Sequence, residues 1–260
     1  MIALSSCSIK DAKDAVTPDD STLDSLSLTP NVADGAKDVK VSTYVKVLAE
    51  DGTVSNASLA TADGATQITG RVTDSGWRAD SRLEPGTAYT LTATGEGEDG
   101  RSKTVTSSFT TQALSLQQQT YPSVAPLDGE TVGVGMPIIV TFDLPVRKRA
   151  LYEKHMKVTT DNGTTGSWTW FSDNEAHYRP EQYWPANTKV NVHLTLNSLP
   201  AGEGVYGQQD QDINFQVGKK AVTTVDVGKH QLTYSVDDQK VRTIPVTTGD
   251  DGHRDRKSVV

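Results

Sequence analysis

The chain has very little of several features that would define other classes of protein. It has 260 residues and a single cysteine, so no disulfide can form within it and a metal site built from several thiolates is excluded. Acidic residues outnumber basic ones by 33 to 25, and the net charge of -8 argues against a nucleic acid partner, whose phosphates require clustered Lys and Arg. No segment approaches the roughly 20 consecutive apolar residues of a membrane-spanning helix.

The residues that are plentiful favour β structure. Long helical patterns rich in Leu, Ala, Glu and Lys are scarce, whereas Thr, Ser, Gly, Asp and Val are common. Hydrophobic residues make up 35% of the chain and charged residues 22%, which is enough to build cores in two or more ordinary domains. We therefore predict an all-β fold.

Residues 25–112 are predicted to form a first immunoglobulin-like β-sandwich. Apolar residues alternate with polar or small ones over residues 39–47, which indicates a half-buried strand. Asp51-Gly52 and Asp63-Gly64 are typical of hairpin turns, and Asp99-Gly100 is predicted to reverse the chain again. Turns at this spacing are typical of a β-sandwich.

A second immunoglobulin-like sandwich is predicted for residues 119–217, after a short polar linker. The apolar run Ile138–Phe142 and the aromatic segment Trp168–Trp170 indicate strands. Residues 83–87 and 183–187 precede similar alternating strands, so the two regions are predicted to be a tandem pair. The segments Ser108–Thr110 and Asn214–Gln216 correspond at the closing strands of the two regions.

Residues 218–249 are predicted to form a β-meander of three strands. Turns are expected at Gly228–His230 and at Asp237-Asp238, between segments of alternating apolar residues. A sheet of two or three strands rarely buries enough apolar surface to be stable alone.

The histidines do not have the spacing of metal ligands, because none lies within four residues of another: His155, His177, His193, His230 and His253. His193 lies between two strand residues that point the opposite way and is predicted to face solvent. His177 is also predicted to lie at the surface. Gly133-Val134-Gly135 lacks the following Lys-Ser/Thr of a phosphate loop. We predict no metal and no cofactor.

Four aromatic residues could form a sugar-stacking platform: Trp168, Trp170, Tyr183 and Trp184. Packing in the core and between domains is the favoured interpretation of the same residues, because large aromatic side chains dominate the energetics of cores. The short basic run Arg147–Arg149 is followed by Glu153 and is predicted to be a solvated turn rather than a binding patch.

The only cysteine, Cys7, ends the string Leu4-Ser5-Ser6-Cys7, which has the form of a bacterial lipobox. In a lipobox the cysteine becomes the lipidated first residue of the mature protein. Residues 1–24 are polar and are predicted to be a lipoprotein-like tether, with Cys7 as its lipidation site and link to the membrane. A signal peptide needs an apolar stretch of about 7–15 residues, and only Met1–Ala3 precede the box. Either the start codon is assigned too late or the match is chance.

Several segments resemble actinobacterial L,D-transpeptidases, enzymes with a YkuD-type catalytic domain that cross-link peptidoglycan. The resemblance covers about Val124–Gly249. It rests on Pro137–Phe142, Lys157–Thr160, Gly166–Phe171, Tyr178–Pro185, Gly204–Gly207, Thr224–Val227 and Arg242–Gly249. It implies two immunoglobulin-like domains that space a catalytic domain from the membrane, an extracytoplasmic location facing the cell wall, and peptidoglycan stem peptides as partners. In that family a cysteine in a Ser-His-Gly-Cys motif forms 3→3 cross-links.

This chain departs from the family pattern, because no Ser-His-Gly-Cys motif follows Gly249. Thiol acyl transfer needs a thiolate near a base, so we assign no catalytic residue and expect the chain to be inactive as given. Residues 218–249 would be the truncated start of the catalytic domain. Residues 250–260 would be a non-native tail, because Asp255–Val260 is what a common sequencing adapter would encode.

The chain is therefore predicted to be a non-catalytic stalk fragment of a peptidoglycan L,D-transpeptidase. The alternative is a non-enzymatic cell-surface lipoprotein with immunoglobulin-like domains that binds wall glycan or a partner protein, because a fold does not fix a function. A paralogue that regulates intact transpeptidases is a third possibility.

Overall fold

The structure is a computed structural model and describes residues 26–249. These residues divide into two compact units. Unit 1 comprises residues 26–36, 45–81 and 89–109, and unit 2 comprises residues 37–44, 82–88 and 110–249. The predicted all-β class with two tandem sandwiches and a C-terminal meander is confirmed. The domain limits drawn from the sequence stay a prediction.

The first sandwich has two four-stranded sheets. Its strands are β1 (Ser27–Pro30), β2 (Lys46–Glu50), β3 (Gly52–Thr61), β4 (Gln67–Ile68), β5 (Gly70–Thr73), β6 (Gly76–Ala79), β7 (Ala88–Gly97) and β8 (Ser102–Thr110). One sheet has the order β1-β2-β6-β5 and the other β4-β3-β7-β8. As predicted, Asp63-Gly64 joins the paired strands β3 and β4, and Asp99-Gly100 joins β7 to β8.

The core of the first sandwich follows from the alternation along β7, where every second residue points inward. Tyr89, Leu91 and Ala93 are all buried, and the ring of Tyr89 stacks on that of Phe109 with centroids 5.6 Å apart. Trp77 on β6 is only 4% exposed. Burial of each large apolar side chain contributes about 1.5–3 kcal/mol, so this core supplies most of the stability of the sandwich.

Two local predictions for this part of the chain are wrong. The strand expected over residues 39–47 begins only at Lys46, because Val41 and Val45 are fully buried in irregular backbone without extended strand pairing. Asp51-Gly52 does not close a hairpin, because β2 and β3 belong to different sheets. Asp51 instead adopts a left-handed conformation with φ 57° and passes the chain from one sheet to the other.

A 3-10 helix (Leu116–Gln118) and β9 (Gln119–Thr120) lead into the second sandwich. Its elements are β10 (Pro122–Ala125), β11 (Thr131–Val132), β12 (Ile138–Phe142), helix α1 (Arg149–Glu153), β13 (Met156–Thr160), β14 (Ser167–Trp170), β15 (Glu175–Arg179), β16 (Lys189–Leu194), β17 (Pro200–Gly202), β18 (Val205–Gly207) and β19 (Gln211–Val217). The two main sheets have the orders β10-β12-β15-β14 and β11-β19-β16-β13, and a small sheet has the order β17-β18-β9.

The core of the second sandwich lies between its two main sheets. Alternation along β12 turns Ile138 and Val140 inward, and alternation along β16 does the same for Val192. Trp184 is 2% exposed and its Nε1–H donates to the carbonyl oxygen of Met136 at 2.7 Å. The largest side chain of this core is therefore buried with its polar atom satisfied.

The two sandwiches are copies of one fold, as a repeated set of hydrogen bonds demonstrates. In the first, the amide of Ser108 donates to Oδ1 of Asp34 at 2.8 Å; in the second, the amide of Asn214 donates to Oδ1 of Asp128 at 2.8 Å. In both, the backbone amide of the glycine after the aspartate donates to the carbonyl oxygen of that same strand residue, Ser108 or Asn214, at 2.7 Å. The sheet β1-β2-β6-β5 also corresponds strand for strand to β10-β12-β15-β14. Ser108 and Asn214 therefore occupy equivalent positions.

The other internal match drawn from the sequence is displaced by one residue. Aligning residues 83–87 with 183–187 pairs the two prolines, Pro85 and Pro185. In the structure, the equivalent residues are Gly86 and Asn187, which have φ of 60° and 61° and each lie two positions before the next strand. The left-handed turn residue sets the alignment, and Gly and Asn are the residues that tolerate this conformation best.

Three antiparallel strands follow the second sandwich, as predicted: β20 (Ala221–Asp226), β21 (Gln231–Val236) and β22 (Gln239–Pro245). Both predicted turns are present, and His230 and Asp237 adopt positive φ there. Val222 packs against the core of the second sandwich. Val225 and Val241 are exposed, at 49% and 60%.

Buried polar contacts hold residues 82–88 within unit 2. Arg82 is 8% exposed, and its Nη1 donates to the carbonyl oxygens of Thr195 and Asn197 at 3.2 and 3.1 Å. The hydroxyl of Ser198 donates to the carbonyl oxygen of Leu83 at 2.7 Å. These contacts satisfy backbone carbonyls that would otherwise lose their hydrogen bonds on burial.

Candidate functional site

The four aromatic residues considered as a sugar platform do not form one exposed surface. Trp184 is buried in the core, whereas Tyr183 beside it is 54% exposed. Trp168 and Trp170 are half-buried on one face of β14 and pack against the core of the second sandwich. The favoured interpretation, core packing, applies to the three tryptophans.

Each tryptophan of β14 has its own partners. Nε1 of Trp168 donates to the carbonyl oxygen of Met156 at 3.0 Å, and its ring meets the edge of Tyr178. The ring of Trp170 stacks on Phe142 with centroids 5.8 Å apart. Nε1 of Trp170 donates to a carboxylate oxygen of Glu153 at 2.8 Å. These side chains close one side of the sandwich and do not converge on a common ligand position.

His177, predicted to lie at the surface, is partly exposed and partly covered. Its side chain is only 19% exposed, its Nε2 lies 2.7 Å from Oε1 of Glu175, and its ring centroid lies 4.3 Å from that of Phe171. Phe171 is itself 68% exposed and covers the imidazole. A neighbouring exposed aromatic residue therefore covers part of this surface histidine.

Each of the remaining described histidines has its own hydrogen-bond partner. Nδ1 of His155 hydrogen bonds to the carbonyl oxygen of Leu151, and that of His230 to the hydroxyl of Thr248. His193 is 46% exposed, in agreement with its prediction. Within residues 26–249, no three His, Cys, Asp or Glu side chains are grouped as metal ligands. His253 lies outside the described residues.

The basic run Arg147–Arg149 is neutralised locally. The guanidinium groups of Arg147 and Arg149 both form ion pairs with Asp173, and Arg147 also lies 3.6 Å from Glu203. Arg149 additionally lies over the ring of Trp170, 5.5 Å from its centroid. The run therefore pairs with carboxylates of its own unit and does not offer an isolated positive patch.

A groove of about 530 Å³ lies on the outer face of the sheet β11-β19-β16-β13 in unit 2. We call it the amide groove. Its polar floor contains Asn191 of β16 and Asn214 and Gln216 of β19, with Lys189 and Thr159 beside them. A volume of this size falls within the range of small-molecule binding sites.

Two asparagines of the amide groove are hydrogen bonded to each other, and one of them also to an aspartate next to the groove. Asn191 and Asn214 are directly opposite each other in the pairing of β16 with β19. Nδ2 of Asn191 donates to Oδ1 of Asn214 at 3.0 Å and to Oδ1 of Asp212 at 2.5 Å. The pairing fixes the orientation of the Asn191 amide, because only one of its ends can donate.

Asp212 connects the amide groove to His193. Its Oδ2 lies 2.9 Å from Nδ1 of His193, and this hydrogen bond, followed by that from Asn191, lowers the pKa of the Asp212 carboxyl below its usual range. The ionised carboxylate of Asp212 thus accepts hydrogen bonds from both His193 and Asn191 beside the groove.

The amide groove cannot be singled out from the sequence alone, although a signal for it is present. Along β16, and along β19 from Asp212, buried apolar residues alternate with outward-facing polar ones, which carry amide, imidazole and carboxylate groups. Each residue alone reads as a solvated strand residue. Only the pairing register brings Asn191 beside Asn214, and a single sequence does not contain that register.

The predicted lipidation site, Cys7, lies outside the described residues. The structure places no helix in residues 26–249 that is long and apolar enough to cross a bilayer.

Two successive sandwiches with polar outer faces define a protein built from tandem immunoglobulin-like modules. The match to a known family agrees: the chain belongs to the bacterial Ig domain family, which it matches over residues 36–200. The immunoglobulin-like nature of the predicted fold is thereby confirmed.

The chain is also similar to curated L,D-transpeptidases. It is 33% identical to L,D-transpeptidase 2 of Mycobacterium tuberculosis over 226 residues, which is 86% of this chain and 54% of that protein. It is 32% identical to L,D-transpeptidase 5 of the same species over 234 residues, covering 86% of this chain and 50% of that protein. The chain thus spans about half the length of the curated relatives it matches. A solved structure of the L,D-transpeptidase LdtMt1 in complex with imipenem is 29% identical, covers 50% of this chain and 54% of the other, and has a TM-score of 0.43.

Proposed function

We propose that this chain is the immunoglobulin-like stalk region of a peptidoglycan L,D-transpeptidase, acting outside the cytoplasm at the cell wall. The observation that carries the proposal is the similarity to two L,D-transpeptidases along 86% of the chain. The stalk would hold transpeptidase chemistry at the wall, where stem peptides are joined in 3→3 cross-links.

A spacing role is supported by sandwiches whose buried polar side-chain atoms are all hydrogen bonded. Every buried side-chain nitrogen or oxygen atom among the described residues has a hydrogen-bond partner. A hydrophobic core in which every buried polar group is satisfied favours one packed state over many. No catalytic role is assigned to any described residue, because thiol acyl transfer needs a cysteine beside a base and the only cysteine of this sequence is Cys7.

The test is deletion of the gene in its native host, followed by mass spectrometry of muropeptides from the wall. The proposal expects a fall in 3→3 cross-linked dimers and recovery when the intact gene is returned. A muropeptide profile that does not change on deletion would overturn it. Deletion of a second, unrelated immunoglobulin-like surface gene serves as the control for general envelope damage.

Lipid anchoring is a separate part of the proposal. The lipobox-like string ending in Cys7 would attach the chain to the outer leaflet of the membrane, because two acyl chains give stable anchoring. Metabolic labelling with a palmitate analogue tests it on the chain expressed with an upstream signal peptide. Label in the wild type but not in Cys7→Ala supports the anchor, whereas equal labelling or none contradicts it.

The strands β20–β22 would be the opening strands of a YkuD-type catalytic domain. Sequencing the gene across and beyond codon 249 discriminates this from the rival, a non-enzymatic surface module that binds glycan or protein. A downstream Ser-His-Gly-Cys motif supports the enzyme. A natural stop at this point in genomic DNA favours the module.

A further inference from the structure

The amide groove differs from the equivalent surface of the first sandwich, although the two sandwiches are copies of one fold. In the first sandwich the hydroxyls of Thr90 and Ser108 lie 3.5 Å apart across β7 and β8. Ser108 is equivalent to Asn214. Its neighbour Thr90 therefore corresponds to Asn191, which pairs with Asn214 in the second sandwich. The same scaffold thus carries two hydroxyls in one copy and two amides in the other.

The outer face of the first sandwich has the residue composition expected of a strand surface without a binding role. Its exposed positions along β7 and β8 are mostly Thr and Ser, such as Thr92, Thr94, Thr104 and Thr106, which favour strands and remain hydrated. Thr94 and Thr104 satisfy each other at 2.9 Å. The Asn, Gln and Lys residues of the amide groove are poorer strand formers, so strand propensity does not explain their presence.

The amide groove has more hydrogen-bonding capacity than the protein itself uses. Asn191 donates both of its contacts through Nδ2, which leaves its Oδ1 without a protein donor within the described part of the chain. The side chains of Gln216 and Lys189, which border the groove, likewise have no protein partner within residues 26–249. Amide groups offer a donor and an acceptor side by side, a geometry that matches a hydroxyl or an acetamido group.

The charges of the amide groove nearly cancel. Lys189 and Asp161 both line the groove. The Asp161 carboxylate accepts a hydrogen bond from the backbone amide of Lys189 at 3.0 Å. A polyanion would meet no net positive field here, whereas a neutral chain rich in hydroxyl and amide groups would find matching donors and acceptors.

We propose that the amide groove binds a neutral amino-sugar oligosaccharide, with Asn191 and Asn214 contacting its hydroxyl and acetamido groups. The ligand class rests on the proposed location of the chain at the cell wall, whose glycan strands have this chemistry. Binding there would hold the stalk against glycan and is independent of any transpeptidase reaction.

The test is NMR titration of the full isotope-labelled chain with tetra-N-acetylchitotetraose, with cellotetraose as a probe that lacks acetamido groups. We expect saturable shifts at the side-chain amides of Asn191, Asn214 and Gln216, and at least tenfold weaker binding of cellotetraose. Equal affinity for both sugars would contradict the role of the acetamido group. A free stem tetrapeptide is the third probe, and saturable binding of the peptide alone would overturn the proposal in favour of a peptide site.

The first sandwich supplies the matched variant. Asn191→Thr combined with Asn214→Ser installs the hydroxyl pair that the equivalent positions already tolerate, so the variant should fold with an unchanged thermal midpoint. We expect the affinity for the acetylated sugar to fall at least tenfold. Thr90→Ala combined with Ser108→Ala is the control and should leave the affinity unchanged.

Two further outcomes would overturn the proposal: the absence of saturable shifts with tetra-N-acetylchitotetraose, or unchanged affinity in the folded Asn191→Thr, Asn214→Ser variant. Neither outcome would alter the muropeptide test of the proposed function. If the groove binds sugar but deletion of the gene leaves cross-linking intact, the chain would instead be a glycan-binding module.

Discussion

The guanidinium group of Arg82 lies 3.1 Å from the carbonyl oxygen of Asn197, in a position that is 8% exposed. The same nitrogen donates to the carbonyl oxygen of Thr195 at 3.2 Å, so one charged group satisfies two backbone acceptors within unit 2. The ring of Tyr44 lies 5.3 Å from the guanidinium carbon and covers it. This arrangement depends on a planar side chain with several fixed donors, which only arginine provides.

Arg82→Met should lower the stability of unit 2, because it removes the arginine donor from two partly buried carbonyls. The expected loss is about 2–4 kcal/mol, the cost of leaving such acceptors unsatisfied together with the lost charge-assisted bonds. Urea denaturation followed by circular dichroism measures it. Arg82→Lys keeps the charge but not the planar guanidinium group, so its stability should lie between those of the wild type and Arg82→Met. A wild-type unfolding midpoint in Arg82→Met would refute the structural role.

Trp184→Ala should destabilise the second sandwich more than any change of the two tryptophans on β14. Its side chain is 2% exposed and fills the core, so truncation leaves a cavity and an unpaired carbonyl at Met136. The expected cost is about 3–5 kcal/mol. Calorimetry of the wild type and the variant measures it. The half-buried Trp168→Ala is the comparison, and an equal or larger loss there would contradict the burial ranking.

Gly207→Ala should be poorly tolerated for steric reasons alone. A Cβ atom at this position would lie 1.9 Å from the carbonyl oxygen of Leu196, and backbone must move to admit it. We expect a loss of at least about 2 kcal/mol, measured as a lower thermal midpoint. Gly133→Ala is the matched control, because nothing lies within 4 Å of its added Cβ. Similar midpoints for both variants would show that the close approach at Gly207 relaxes freely.

Asp212 should titrate below the usual range of a carboxyl group, because His193 and Asn191 hydrogen bond to its ionised form. A folded pKa below the unfolded one contributes stability above the unfolded pKa, and this contribution is lost as the pH falls through the folded pKa. His193→Gln should raise the pKa of Asp212 toward its ordinary value. Carbon-detected NMR titration of the carboxyl group measures it, with His177→Gln as the distant control. An unchanged Asp212 pKa in His193→Gln would exclude the hydrogen bond as the cause.

The general fold was predictable because alternation and turn chemistry are local. Ile138–Phe142 and Trp168–Trp170 were predicted as strands from their own residues, and both are strands. Asp51-Gly52 was misread because a tight turn within a hairpin and a tight turn between two sheets use the same residues. The segment 39–47 was misread because buried valines in irregular backbone can alternate just as strand residues do.

The candidate site was less predictable because it depends on neighbours from different strands. The exposure of His193 follows from its own strand, whereas the partial covering of His177 does not, since the ring that covers it belongs to Phe171 across a turn. The pairing of Asn191 with Asn214 depends on which strands are adjacent and in what register. Non-local pairing of this kind leaves no mark within a short window of sequence.

Each sandwich contains its own deeply buried indole, Trp77 in the first and Trp184 in the second, at 4% and 2% exposure. Indole emission shifts toward the red when water reaches the ring, so the molecule carries an intrinsic optical reporter in each half. With Trp77→Phe, the emission would come from the second sandwich alone. The order in which the two halves of the chain melt can then be followed by fluorescence without attaching any dye.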